Sequence, residues 1–137
     1  MDPVENTKRT MLALEAFNRG DLEEYLTSYA DDAVIHGLPA GYEPNVTGHR
    51  AFLTGLRRGL PDLRVIVDDI ISEGDRVAVR LRYRGTHLGE LRGVAPTGRQ
   101  IEWAGMTFRR FGPDGLTVER WVLGDTLALL GQLGLGP

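Results

Sequence analysis

Between Arg76 and Arg84 the chain alternates without a break, with Val77, Val79, Leu81 and Tyr83 on one side and Arg80, Arg82 and Arg84 on the other. Successive side chains of a strand point to opposite faces, so this stretch reads as a strand with one apolar and one charged face. The apolar face has to be covered by another layer. That layer lies upstream, because the hydrophobic period changes at Pro61. Before it, Met11, Leu14 and Phe17, then Leu22, Tyr25, Leu26 and Tyr29, then Phe52, Leu53, Leu56 and Leu60 recur at helical spacing.

Turn chemistry sets the boundaries. A first helix is expected from about Asn6 to Arg19, stopped by Gly20 as a left-handed cap. Asp21 with Glu24 has the spacing of a capping box and opens a second helix. Asp31-Asp32 turns the chain into a short strand, Ala33 to His36, followed by a Gly/Pro-rich loop, Gly37 to Val46. A third helix starts at Thr47 or Gly48 and ends at Gly59 and Pro61. Strands follow from Leu63 to Ile71, Arg76 to Arg84, Ile101 to Phe111 and Leu116 to Leu123. Turns at Glu73-Gly74-Asp75 and Gly112-Pro113-Asp114-Gly115, and a glycine-rich link from Gly85 to Gly98, separate them. Leu127, Leu130 and Leu133 mark a closing helix. Helices first and long antiparallel strands afterwards define an α+β fold, not alternating βαβ, in one domain over residues 1–137.

Composition removes several classes of function. A net charge of −3 offers no basic field for nucleic acid. No apolar run approaches the ~20 residues of a membrane span, and the N-terminus lacks the order of a secretion signal, so a cytoplasmic location is expected. The chain has no cysteine, which excludes thiolate chemistry and cysteine metal sites. Three scattered histidines make no metal motif, and no glycine loop has phosphate-binding spacing, so neither metal nor cofactor is expected. Lys8 is the one lysine and sits near the start of the chain, which argues against Schiff-base chemistry.

Several segments together resemble the SnoaL-like polyketide cyclases of the nuclear-transport-factor-2-like superfamily. They are Ala16-Phe17-Asn18-Arg19-Gly20-Asp21, the stretch from Leu60-Pro61-Asp62 to Glu73-Gly74-Asp75-Arg76, Gly85-Thr86-His87-Leu88-Gly89-Glu90, Pro96-Thr97-Gly98-Arg99, and Asp125-Thr126-Leu127 through Leu133-Gly134. The resemblance implies a cone: three N-terminal helices on a curved antiparallel sheet around an interior pocket. It also implies pairing into a homodimer through the outer sheet face, a bulky, largely apolar polyketide-like substrate of secondary metabolism, and acid/base catalysis without a cofactor. The cyclases share a Gln and a His alternating on one strand and an Asp on the last. An ungapped alignment places these at Gly105, Thr107 and Val122, so the trio is not retained.

Other residues remain as candidates. Asp125, where the last strand leaves the sheet, serves either as acid/base or as the cap of the closing helix. His36, before the Gly/Pro loop, is either its acid/base opposite or a histidine bonded to backbone. Arg120 shares a face with Val122 and points toward the pocket, where it needs an anionic partner: Asp125, Glu90 or a ligand. It is read as an electrostatic stabiliser of developing oxyanion charge. Phe17, Tyr25, Tyr29, Phe52, Trp103 and Thr107 are candidate walls, with Gly105 leaving space for a larger ligand. His49 is read as a helix-surface residue and His87 as part of a structural turn. Asp62 is read as able to reach the pocket rim, and Asp68-Asp69 place one carboxylate on each face of their strand. Two functions stay open: an acid/base enzyme, or a non-catalytic small-molecule-binding domain.

Overall fold

The computed structural model describes residues 2–135. Helix α1 (Pro3–Asn18) begins with Pro at its first position and with the Asp2 carboxylate accepting the amide of Glu5 at 2.8 Å. Helix α2 (Leu22–Leu26) is capped in the same way by Asp21, which accepts from Glu24 N at 3.1 Å. Strand β1 (Tyr29–His36) is longer than its four-residue expectation. It takes in Asp31-Asp32 and starts at Tyr29, which the helical spacing had assigned to α2. Helix α3 (Val46–Gly59) is capped by Asn45 and turns His49, Leu53 and Leu56 inward.

Four long strands follow: β2 (Arg64–Glu73), β3 (Arg76–Thr86), β4 (Gln100–Phe111) and β5 (Thr117–Gly124), then helix α4 (Thr126–Gln132). The sheet order is β1-β5-β4-β3-β2. Strands β2 to β5 run antiparallel, but β1 pairs parallel with β5, so the sheet is mixed and not wholly antiparallel as expected. The cause is topological. β1 leaves the helical half of the chain and returns to the sheet beside its last strand, with β2, β3 and β4 intervening in sequence.

Strand alternation then divides the sheet into two faces. Val77, Val79 and Leu81 of β3, Ile101 and Trp103 of β4, and Ile35 of β1 form the inner face and are buried under α1, α2 and α3. Burying each such side chain stabilises the fold by about 1.5–3 kcal/mol. The outer face carries the arginine row: Arg82 pairs with Asp68 at 2.8 Å and with Glu102 at 2.9 Å. The side chain of Asn18 closes off the edge strand β2, donating to Val65 O at 2.9 Å and accepting from Val65 N at 2.7 Å. After β1, Gly37 has φ +95°, and a Cβ there would run into the carbonyl oxygen of Val122. Glycine therefore lets the loop cross directly over β5, beside the space described next.

Candidate functional site

A cavity of about 90 Å³ lies between the helices and the inner sheet face. Leu14, Phe17, Phe52, Leu53 and Leu56 wall it from the helical side, and Val65, Leu81, Tyr83, Trp103 and Val122 from the sheet. Pro39, Phe52, Leu56 and Arg92 also line a groove of about 280 Å³ that leads outward between α3 and the segment Glu90–Arg92. Cavity and groove are adjacent, with these four residues forming the wall common to both. Arg92 is held at this mouth by a tight turn. Leu91 and Val94 exchange both backbone hydrogen bonds, at 3.1 and 2.9 Å, and Arg92 and Gly93 have φ of 50° and 78°. Positive φ at both central residues is type I′ geometry.

The polar end of the cavity is built on Arg120. β5 alternation turns it inward beside Val122, and it is 4% exposed. One of its terminal nitrogens donates to the Tyr25 hydroxyl at 2.9 Å and the Tyr29 hydroxyl at 3.0 Å, and lies 3.1 Å from His49 Nε2. The Tyr25 hydroxyl also meets the Tyr29 hydroxyl at 2.8 Å and His49 Nε2 at 2.9 Å. A guanidinium cannot accept a hydrogen bond and the Tyr25 hydroxyl can donate one, so we assign His49 Nε2 as the acceptor from Tyr25, with the ring proton on Nδ1. Burial, followed by the charges of Arg120 and Arg109, holds His49 well below the ordinary histidine value, so the ring is neutral at pH 7. Burial likewise raises the Tyr25 phenol, against the opposing pull of Arg120.

Behind this cluster stands a second inward arginine, Arg109, 1% exposed. It donates to Thr117 Oγ1 at 3.0 Å and stacks its guanidinium 4.8 Å from the Tyr29 ring centre. Among the described residues, neither Arg109 nor Arg120 forms an ion pair, and no Asp or Glu lines the cavity.

The expected site residues are distributed accordingly. Phe17, Tyr25, Phe52, Trp103, Arg120 and Val122 line the cavity. Tyr29 reaches its polar cluster through its hydroxyl. Thr107 is buried but is not among the lining residues. Gly105 does not leave open space as expected. A Cβ there would come within 2.9 Å of the Tyr83 ring, which fills the room and stacks on Trp103 at 5.1 Å between ring centres.

Asp125 is exposed and accepts the amide of Ala128 at 3.0 Å as the cap of α4, while its neighbours Gly124 and Thr126 line the cavity. The Arg120 partners are thus two phenols and an imidazole, not Asp125 or Glu90. His36 does not join this group. It lies on the outer sheet face, stacked on Trp121 at 5.2 Å and bonded to Glu119 at 2.7 Å. Asp62 binds the amide and hydroxyl of Thr86 at 2.6 and 2.7 Å, and Asp68 binds Arg82, so no carboxylate pair faces the cavity. His87 is fully buried in its turn, with Nδ1 3.0 Å from Thr97 Oγ1. His49 is 3% exposed and not on the surface. His49, Leu53 and Leu56 fall at i, i+4 and i+7, a spacing that marks the buried stripe of α3. Among the described residues, no group of three or more His, Cys, Asp or Glu is placed to hold a metal, and no helix is long and apolar enough to cross a membrane.

Helices laid on one face of a curved mixed sheet, with a buried cavity between the layers, define the nuclear-transport-factor-2-like class. A family model for SnoaL-like polyketide cyclases matches residues 8–133, and the chain belongs to that family. Among solved structures it is similar to AclR, a candidate hydroxylase from Streptomyces galilaeus, with 32% identity, a TM-score of 0.90, and coverage of 98% of this chain and 84% of that one. It is also similar to IdmH, a candidate polyketide cyclase from Streptomyces antibioticus, with 37% identity, a TM-score of 0.81, and coverage of 94% and 98%. TsrD from Streptomyces laurentii shares 26% identity, with a TM-score of 0.82 and 98% coverage of both chains. No curated protein matches the chain.

Proposed function

We propose that this protein is a cofactor-independent, cyclase-like enzyme that closes or rearranges a ring in a bulky, largely apolar polyketide-like metabolite. The observation that carries this reading is an apolar cavity ending in a dehydrated guanidinium, Arg120, held in place by Tyr25, Tyr29 and His49. Ring closure by carbon–carbon bond formation passes charge onto a carbonyl oxygen. A preorganised donor at that oxygen lowers the barrier, and removing one such donor typically costs about 10²–10³ in rate.

Asp125 is the carboxylate whose two chain neighbours line the cavity, and we assign it the proton-accepting role at the mouth. Asp125→Asn keeps a helix-capping side chain. It is therefore expected to lower turnover by about 10²-fold or more with the melting temperature nearly unchanged. The assay follows exchange of deuterium into the methylene of an aromatic 1,3-diketone in heavy water, together with ring closure of a poly-β-ketone. That no carboxylate lines the cavity among the described residues favours a second reading, a non-catalytic binding domain. Unchanged exchange in Asp125→Asn would leave that residue as a cap, and no exchange above background in the wild type would select the binding domain.

We also propose a homodimer formed through the outer sheet face. Met106, Phe108 and Leu123 are 61%, 50% and 77% exposed, and the register sets Met106 opposite Leu123 and Phe108 opposite Trp121. A contiguous apolar patch of this kind marks an interaction surface. Light scattering is expected to give twice the 15.1 kDa of one chain, and Phe108→Glu is expected to return it to the monomer mass.

A further inference from the structure

The polar end of the cavity holds more hydrogen-bond donors than acceptors. With Nε2 committed as an acceptor, the proton of His49 is on Nδ1, and that nitrogen is buried without a partner. Arg120 Nε is also buried without a partner, although a terminal nitrogen of the same guanidinium meets three. Each such donor left unpaired costs about 1–3 kcal/mol, and more where the group is charged. Both belong to residues that line the cavity. The charge is also unbalanced: Arg120 is buried, His49 is neutral, and among the described residues no carboxylate lines the cavity with them. Arg92 adds a third guanidinium at the mouth.

From this we infer that the metabolite presents an acidic oxygen, ionised as a carboxylate, enolate or phenolate, to Arg120 Nε and His49 Nδ1. The inference rests on the small-molecule reading of the cavity and adds the chemical class of its ligand. An anion entering the cavity loses its hydration. The fold compensates with donors that are already dehydrated, so the protein side loses no further hydration on binding. The rest of the ligand meets apolar walls, so the preferred compound is an apolar ring carrying one acidic oxygen.

Benzoate and its neutral counterpart benzamide, with toluene as the apolar control, separate these contributions by calorimetric titration of the wild-type protein. Benzoate is expected to bind at least tenfold tighter than benzamide, a difference of about 1.4 kcal/mol. 4-Nitrophenol tests the enol and phenol source: it should bind as the coloured phenolate at a pH where it is protonated in solution. Binding of one anion but not the other supports the inference and identifies the source. Arg120→Lys keeps the charge and loses Nε–H, and His49→Phe loses Nδ1–H. Each is expected to reduce the preference for the anion about tenfold, and an unchanged preference in both would overturn the assignment to these atoms. Should either variant fail to fold, the wild-type comparison decides alone. If benzamide and toluene bind as well as benzoate and 4-nitrophenol stays protonated, the inference fails while the apolar site stands. If none of the four probes binds, the small-molecule reading fails and the inference with it.

Discussion

Arg120→Met is expected to abolish function while raising stability. The functional half follows from position: the guanidinium is the charged group among the side chains at the cavity's polar end, and losing a donor to a developing oxyanion lowers rate by about 10²–10³. The stability half follows from what remains. Tyr29 can still donate to Tyr25, and Tyr25 to His49 Nε2, along the existing contacts of 2.8 and 2.9 Å. The substitution therefore leaves none of the three without a partner. What disappears is a buried cation that no carboxylate balances. Replacing buried ionic groups by apolar side chains of similar volume ranges from neutral to stabilising by about 1–4 kcal/mol, and here no partner charge is left behind. For a domain of this size that is roughly 3–10 °C in melting temperature. Thermal melts and the deuterium-exchange assay on the same preparation check both halves. A fall in both quantities would make Arg120 a structural residue, and unchanged exchange would remove it from the chemistry.

The same residues show how much of the site could be read in advance. Strand alternation is a local property, so the inward placement of Trp103, Arg120 and Val122 follows from counting by twos, and the structure keeps it. Pairing between distant segments is not local. Nothing in Tyr29–His36 announces that it lies parallel to β5, and the extra length of β1 depends on that partner. Tyr25 and Tyr29 sit four apart, which reads as one helix face. The chain leaves the helix between them, yet both hydroxyls still meet Arg120, because one lies in the last turn of α2 and the other begins β1. His49 was legible in principle from the α3 stripe. Its polarity argued for the surface, and only the buried phenol and guanidinium opposite it explain why a histidine is tolerated inside. Gly105 looked like space, but the side chain that uses the space, Tyr83, is on the neighbouring strand and was invisible to single-strand reasoning.

Acidification from pH 7 is expected to weaken the fold through His49 before any carboxylate is involved. Burial and the charges of Arg120 and Arg109 depress the folded-state value of His49 far below its ordinary 6.5. Below about pH 6.5 the unfolded chain binds a proton that the folded chain refuses. Stability from this group is therefore complete above the unfolded value and is lost as pH falls, by about 1.4 kcal/mol per pH unit, until the folded-state value is reached.

The stabilising carboxylates act in a lower window. Thr86 holds Asp62 below its ordinary 3.8, and His36 with Arg110 holds Glu119 below its ordinary 4.5, so their contributions are lost only beneath those values. His49→Phe keeps a ring of similar size packed against Tyr25 and Tyr29, whose centres lie 5.7 Å from that of His49. The variant is expected to be less stable at pH 7.5, where the Tyr25 hydroxyl has lost an acceptor, but its melting temperature should stay nearly flat between about pH 7 and pH 5. Melting curves of the two proteins across that interval are the measurement. Parallel slopes would show that His49 does not carry the acid response, and would remove the argument that its ring is held neutral with the proton on Nδ1.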